Sequence, residues 1–293
     1  MKKAVLLIGL FILVGSIGWA QTGTIFDAIS YGKVNDLRTL IENGTDVNQP
    51  RHDGVTPLQI AARDSDDPEK FRLLLNAGAI IDPVDYYNFD TPFELILKKN
   101  NIELARLFID AGADLHRIDN WGKTPLEYAA SHSRDTAILR LLIEKGANIH
   151  KGGSVSTPLH SAAASNNLQN IALLIELGAD INGRNIGGKF TSSQGGISQP
   201  GGNTPLMEGV GSYECVDVLL KAGANINLQN NEGKTALIIA AQYGGDPRVI
   251  TLLLQNGANA KLEDNTGRTA LDWLDLNRHL SRHPVRKELK DRT

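Results

Sequence analysis

The sequence predicts an all-α solenoid, a row of two-helix units each about 33 residues long. Three observations carry that fold class. A Thr-(Pro/Ala)-(Leu/Phe) triplet begins at Thr56, Thr91, Thr124, Thr157, Thr204, Thr235 and Thr269, at intervals of 35, 33, 33, 47, 31 and 34 residues. A Leu/Ile cluster follows, as in Leu73-Leu74-Leu75, Leu141-Leu142-Ile143, Leu173-Leu174-Ile175 and Leu252-Leu253-Leu254. The units then close on Gly-Ala, at Gly78, Gly112, Gly146, Gly178, Gly223 and Gly257.

Each piece has a physical reason. Thr suits the N-cap and Pro the first helical position, so the triplet starts a helix. Small residues follow, as in Gln59-Ile60-Ala61-Ala62 and Glu127-Tyr128-Ala129-Ala130, and let this first helix approach its neighbours. Asp67-Pro68 and Asp246-Pro247 start second helices in the same way. Gly accepts the left-handed conformation that ends a helix. One unit cannot bury its apolar face alone, so the units must stack. Residues 24–52 read as an N-terminal capping unit, with Phe26-Asp27-Ala28-Ile29 in its first helix and Gly44 as closure. Residues 53–264 hold six internal units, and residues 265–293 a C-terminal cap. In that cap Trp273 and Leu276 are expected to face the stack. A charged tail runs from Arg278 to Thr293, read as a solvated cap helix or else a charged docking patch.

Residues 1–20, MKKAVLLIGLFILVGSIGWA, have the three parts of a secretory signal: Lys2 and Lys3, an uncharged apolar run, and Gly18-Trp19-Ala20 for cleavage. The mature chain would then be residues 21–293, exported to a periplasm or secreted. Membrane contact is expected only if this segment stays uncleaved. The net charge of −3 falls to −5 without Lys2 and Lys3, which speaks against a nucleic-acid partner. Cys215 is the single cysteine, so no internal disulfide and no multi-Cys metal site is available. Its setting in an apolar helix face predicts a buried, inert thiol.

The run Thr157-Pro158-Leu159-His160-Ser161-Ala162-Ala163 resembles the signature of the ankyrin repeat. Thr56, Thr124 and Thr235 begin partial matches, and Asn48, Asn182 and Asn227 stand at the family's Asn position. The resemblance covers residues 24–285 and looks like an exported, bacterial periplasmic type. It implies helix pairs joined by β-hairpin tips, a structural role for His160 in tying down a neighbouring turn, and a surface that binds a protein. No catalytic residue, metal or cofactor is implied, and a monomer is expected.

Regularity fails in one place. The interval from Thr157 to Thr204 exceeds 33 by 14 residues, and the excess lies in GRNIGGKFTSSQGGISQPGG, residues 183–202. Its composition reads as a flexible loop projecting from the row of tips. Gly183 to Lys189 imitates a phosphate-binding loop, but Phe190 stands where a hydroxyl should ligate Mg²⁺. Beside it, Met207-Glu208-Gly209-Val210 replaces the usual His-x-Ala-Ala, predicting a weakened first helix.

Chemistry is sparse elsewhere. His279 and His283 would lie one helical turn apart if the tail is helical. Aromatics stand out at two tips, where Tyr86-Tyr87-Asn88-Phe89 replaces a polar turn and Trp121 heads the next. Large aromatics on an exposed rim are typical binding anchors. The expected partner-binding set is Tyr86, Tyr87, Asn88, Phe89, Trp121, Lys123, Phe190, His52 and Asp53. The sequence thus points to a non-catalytic protein-binding module outside the cytoplasm. The alternatives are a small-ligand receptor or enzyme with residues 183–202 as a lid, or a structural envelope component.

Overall fold

The computed structural model describes residues 23–83, 90–133, 135–153, 155–192, 195–199 and 201–293, without the side chains of 188–192 and 195–199. The export segment and the tip Tyr86-Tyr87-Asn88-Phe89 therefore lie outside the described residues, as does the Phe190 side chain. The chain divides into two compact units, Met1–Asp114 and Leu115–Thr293.

In the first unit, helix pairs are α1 (Ile25–Ser30) with α2 (Val34–Glu42), α3 (Pro57–Asp64) with α4 (Pro68–Asn76), and α5 (Pro92–Lys99) with α6 (Ile102–Asp110). First helices pack in the order α1, α3, α5 and second helices in the order α2, α4, α6. The core centres on Phe108, whose ring stands 5.8 Å edge-on from Phe71 and 6.0 Å stacked from Phe93.

The second unit holds α7 (Pro125–His132), α8 (Thr136–Glu144), α9 (Pro158–Ala164), α10 (Leu168–Glu176), α11 (Pro205–Glu208), α12 (Tyr213–Lys221), α13 (Ala236–Tyr243), α14 (Pro247–Gln255), α15 (Ala270–Leu276) and α16 (Val285–Lys290). Again the first helices, α7, α9, α11, α13 and α15, form one layer, and α8, α10, α12, α14 and α16 the other. Leu139, Leu142, Leu159, Leu174, Leu219, Leu253 and Leu274 fill the space between. No helix among the described residues is long and apolar enough to cross a membrane.

The local signals act as their chemistry requires. Thr56, Thr91, Thr124 and Thr204 each cap a helix through the side chain, with Pro at the first turn. The closing glycines take positive φ, for example +86° at Gly78, and the next N–H, that of Ala79, reaches back to Leu74 O at 3.0 Å. Asn48 and Asn227 show what the family's Asn does. Asn48 Nδ2 donates to Gly78 O at 2.9 Å and its Oδ1 accepts from Ile80 N at 2.8 Å, pinning the next closure. Asn227 Oδ1 accepts from Asn259 N at 2.8 Å in the same manner.

A second column of donors serves the first helices, whose last carbonyls lack helical partners. At the third position of α10, buried Asn170 sends Nδ2 to Ala129 O, Ala130 O and Ser133 O at 3.2, 3.1 and 3.1 Å. The equivalent Lys70 of α4 sends Nζ to Ile29 O at 2.6 Å. The equivalent of α12 is Cys215, whose thiol points at Ala163 O, 3.7 Å away. The lone cysteine thus occupies a capping position, and burial pushes its thiol up to about 12.

Three expectations need correction. Leu276 does not face the stack: it is 61% exposed, and Leu274 fills that role. His279 and His283 do not share a helical face, because α15 ends before Asn277, whose Nδ2 binds Ala241 O at 3.0 Å. His283 instead accepts the Val285 N–H at 3.2 Å at the start of α16. The charged tail is also more than a solvated helix. Val285 and Leu289 are buried, Thr251 Oγ1 donates to Glu288 at 2.7 Å, and Arg292 reaches Leu254 O at 2.6 Å.

The insertion differs as well. It contains two antiparallel strands, β1 (Gly188–Ser192) and β2 (Gly195–Gln199), paired from Gly188↔Gln199 to Ser192↔Gly195. The extra residues sit inside one tip. Asn185 N donates to Asn203 O at 2.9 Å and Gly202 N to Asn185 O at 2.8 Å. A regular tip closes with the same two bonds, Asp119 N to Lys123 O at 2.9 Å and Gly122 N to Asp119 O at 3.0 Å. The insert proper is therefore residues 186–201, where other tips have two residues. Because the base is already closed, replacing 186–201 with Asn-Glu, as at Asn231-Glu232, should change stability by less than about 1 kcal/mol. Chemical denaturation checks this, and a larger loss would mean that the strands support the stack.

The following unit is short, as its glycines suggest. Helix α11 has four residues and ends at Gly209. A Cβ at Gly209 would stand 2.6 Å from Cys215 Sγ, so this glycine also lets α12 approach.

Candidate protein-binding surface

The tips and the first helices of the second unit present a row of rungs built to one plan. Five residues before the anchoring Thr stands an Asp or Asn whose Oδ1 accepts two N–H groups of its own tip. Asp119 accepts from Trp121 N at 2.9 Å and Lys123 N at 2.6 Å. Asn230 accepts from Glu232 N and Lys234 N, both at 2.9 Å, and Asp264 from Thr266 N at 2.8 Å and Arg268 N at 3.2 Å. The tips are thus rigid platforms.

The second carboxylate oxygen holds an aromatic of the first helix. Tyr128 Oη donates to Asp119 Oδ2 at 2.6 Å, and Trp273 Nε1 to Asp264 Oδ2 at 2.7 Å. Burial works to raise the Asp264 carboxyl, but donors from Thr266, Trp273 and Arg268 outweigh it and hold the group at about 2. Above each ring lies the cation that precedes the Thr: Lys123 is 5.9 Å from Tyr128 and Arg268 4.8 Å from Trp273.

The rung at 152–156 departs from the plan. Gly152 replaces the Asp, and Glu127 of α7 supplies a carboxylate instead. Fully buried, Glu127 accepts from Thr124 N at 2.9 Å, Gly153 N at 2.6 Å and Ser156 Oγ at 2.6 Å. At the insert rung, Asn185 and Asn203 both donate to Glu208 Oε1 at 3.0 Å, and Asn230 Nδ2 continues to Asn203 Oδ1 at 2.8 Å.

His160 behaves as a tie. One ring nitrogen meets Thr157 Oγ1 at 2.7 Å, and Nε2 meets Asn203 O of the next rung at 2.9 Å. Burial pushes its imidazole below the usual range, so the neutral form that serves both contacts is held.

Of the sequence-predicted site residues, Trp121 is 48% exposed on its fixed tip, and Lys123 lies half-buried over Tyr128. In the first unit, His52 is exposed on its tip. Asp53 is folded back onto Arg51, with its Oδ1 accepting from Val55 N at 3.2 Å. The Arg51 guanidinium holds that carboxyl down at about 2 despite the opposing effect of desolvation. The sequence alone places Lys234 and Arg268 among the variable tip positions, but the first-helix aromatics, the buried Tyr128 and the exposed Tyr243, are not singled out by it. For Tyr128 and Arg268 the signal is a cation just before the anchoring Thr with an aromatic four residues after it, as in Lys123-Thr124 with Tyr128 and Arg268-Thr269 with Trp273; Tyr243, eight residues after Thr235, falls outside that spacing.

A family model described as ankyrin repeats (3 copies) matches residues 25–119, 93–185 and 206–280. The chain is an ankyrin-repeat protein. Human palmitoyltransferase ZDHHC13 is 32% identical over 221 residues, 74% of this chain and 33% of that protein. The chain thus spans about a third of the length of such curated relatives, within their ankyrin region. Among solved structures, the ankyrin repeat domain of human ASB11 superposes with a TM-score of 0.63 at 23% identity, covering 80% of this chain and 97% of that one. The ankyrin repeat domain of Bcl-3, described as a member of the IkappaB family, gives 0.58 at 26% identity, covering 81% and 99%. These matches place the chain in the ankyrin-repeat solenoid fold, an architecture of protein-interaction modules.

Proposed function

We propose that this ankyrin-repeat protein is a non-catalytic module that acts outside the cytoplasm, periplasmic or secreted, and grips one protein partner through its tips and first helices. The observation that carries the reading is Trp121. Its indole is 48% exposed on a tip whose backbone Asp119 clamps, so a large aromatic is offered without ordering cost. Tyr87 is proposed as a separate anchor on its residue type alone.

The test pairs Tyr87→Ala with Trp121→Ala and measures affinity for the partner retained by the wild-type chain from the extracytoplasmic fraction. At least a tenfold loss is expected, since an aromatic anchor contributes about 2 kcal/mol or more. Unchanged affinity would sink the site. N-terminal sequencing of the exported protein is expected to begin at Gln21, and retention of Met1 would mean that the segment stays as an anchor.

A further inference from the structure

The last two rungs of the second unit form a corner that no other rung among the described residues repeats. The Trp273 ring is fixed by its bond to Asp264. Arg268 lies 4.8 Å from its centroid and Lys234 5.2 Å, and Lys234 also lies 5.8 Å from the Tyr243 ring. Tyr243, at the end of α13, is 72% exposed. The Lys234 side chain is 12% exposed, with Nζ 3.0 Å from Glu232.

Arg268 differs from the other cations here. It is exposed, and its guanidinium makes no ion pair among the described residues. The carboxylates beside it take their hydrogen bonds from donors other than its guanidinium, and at Asp272 the Thr269 bonds outweigh the attraction of the Arg268 charge. Asp264 serves Thr266, Trp273 and the Arg268 N–H, and Asp272 accepts from Thr269 N at 2.8 Å and Thr269 Oγ1 at 2.7 Å.

We propose that Arg268, Lys234, Trp273 and Tyr243 form a subsite for an acidic side chain flanked by an aromatic one, in an extended segment of the protein partner. This rests on the protein-binding reading above. A guanidinium held over an indole by its cation–π attraction still offers N–H groups to solvent, and that planar fork matches a carboxylate. The exposed Tyr243 ring gives the neighbouring aromatic a surface to cover. A nucleic-acid strand fits worse, because a row of phosphates needs several cations in line and the chain carries a net charge of −3.

The experiment titrates the full chain with the acetylated, amidated peptide Gly-Phe-Asp-Glu-Phe-Gly and follows the Trp273 indole N–H resonance by NMR. Saturable binding with a Kd at or below about 1 mM is expected at low salt. The Asn/Gln version of the peptide should bind at least tenfold more weakly. Arg268→Ala and Tyr243→Ala change exposed side chains and should each weaken the acidic peptide severalfold, with Arg268→Lys between Arg268→Ala and the wild type. Equal affinity for the two peptides, indifference to Arg268→Ala, or preferential binding of a single-stranded oligonucleotide would each overturn the inference. Partner capture that is lost in Trp121→Ala but unchanged in Arg268→Ala would overturn this subsite alone and leave the binding module standing.

Discussion

Replacing Glu127 with alanine is expected to cost about 3–5 kcal/mol, because it strands three donors at once in a buried to part-buried setting. The donors are Thr124 N, Gly153 N and Ser156 Oγ, all held by a side chain with no exposed surface. In other rungs the N–H just before the anchoring Thr is served from within the tip, by Asp119, Asn230 or Asp264. In this rung Glu127 instead takes the Gly153 N–H and the Ser156 hydroxyl, in addition to capping its own helix at Thr124. At Gly152 no such side chain can be restored: a Cβ there would stand 1.8 Å from Ser156 O and 2.8 Å from the Glu127 carboxyl carbon. The acceptor must come from the preceding helix, and only a side chain of Glu length reaches.

The control is Glu127→Gln, which keeps the shape but turns one arm into a donor that faces another donor. It should fall between alanine and wild type, at about 1–3 kcal/mol. Hydrogen exchange is the sharper readout, because repeat proteins sum local stabilities. Protection should fall first across residues 119–165, with the first unit little changed. A loss below about 1 kcal/mol for Glu127→Ala would show that water replaces the carboxylate and that the rung is not dry.

How far the sequence reveals this structure depends on the distance over which each interaction acts. Helix starts and closures were legible, since Thr56 caps its own helix and Gly78 ends its own. The insertion was legible as a broken interval, but not its strands. Gly and Ser suit loops by composition, whereas β1 and β2 follow from a register between two segments. Leu276 looked like a core residue because it is apolar, but as the last residue of α15 it is exposed, and Ala270 and Leu274 carry the buried face of that helix. The compensation at Glu127 and the corner at Lys234 and Trp273 lie further out of reach. Each joins residues of successive repeats, so it shows only when the rungs are aligned on their Thr and stacked. The aromatic tips were chosen on residue type alone. That is enough to find an exposed Trp121, but it cannot distinguish Asp53, which is spent on Arg51, from a free carboxylate.

Asn170→Asp is the companion expectation, and its pH dependence is as informative as its size. Asn170 Nδ2 donates to three carbonyls that end α7, and the residue is wholly buried. An aspartate would aim a charge at those carbonyls, so at neutral pH the loss should reach about 3–5 kcal/mol. The folded state would favour the protonated acid, which still donates one hydrogen bond, so its pKa would rise above the unfolded value of about 3.9. A raised folded pKa contributes stability below the unfolded value and loses it as pH rises through the folded value. The variant should therefore recover part of its deficit as pH falls from the raised folded pKa toward the unfolded value of about 3.9, while wild type gains nothing there from this position. Asn170→Leu separates charge from capping. Leu104 of α6 and Ile138 of α8 show that this position accepts an apolar side chain. That variant should lose only the capping bonds, about 1–3 kcal/mol, with no change in pH profile. Equal losses for Asp and Leu at neutral pH would mean that the Asn170 amide fills space and that the α7 carbonyls are satisfied by other donors.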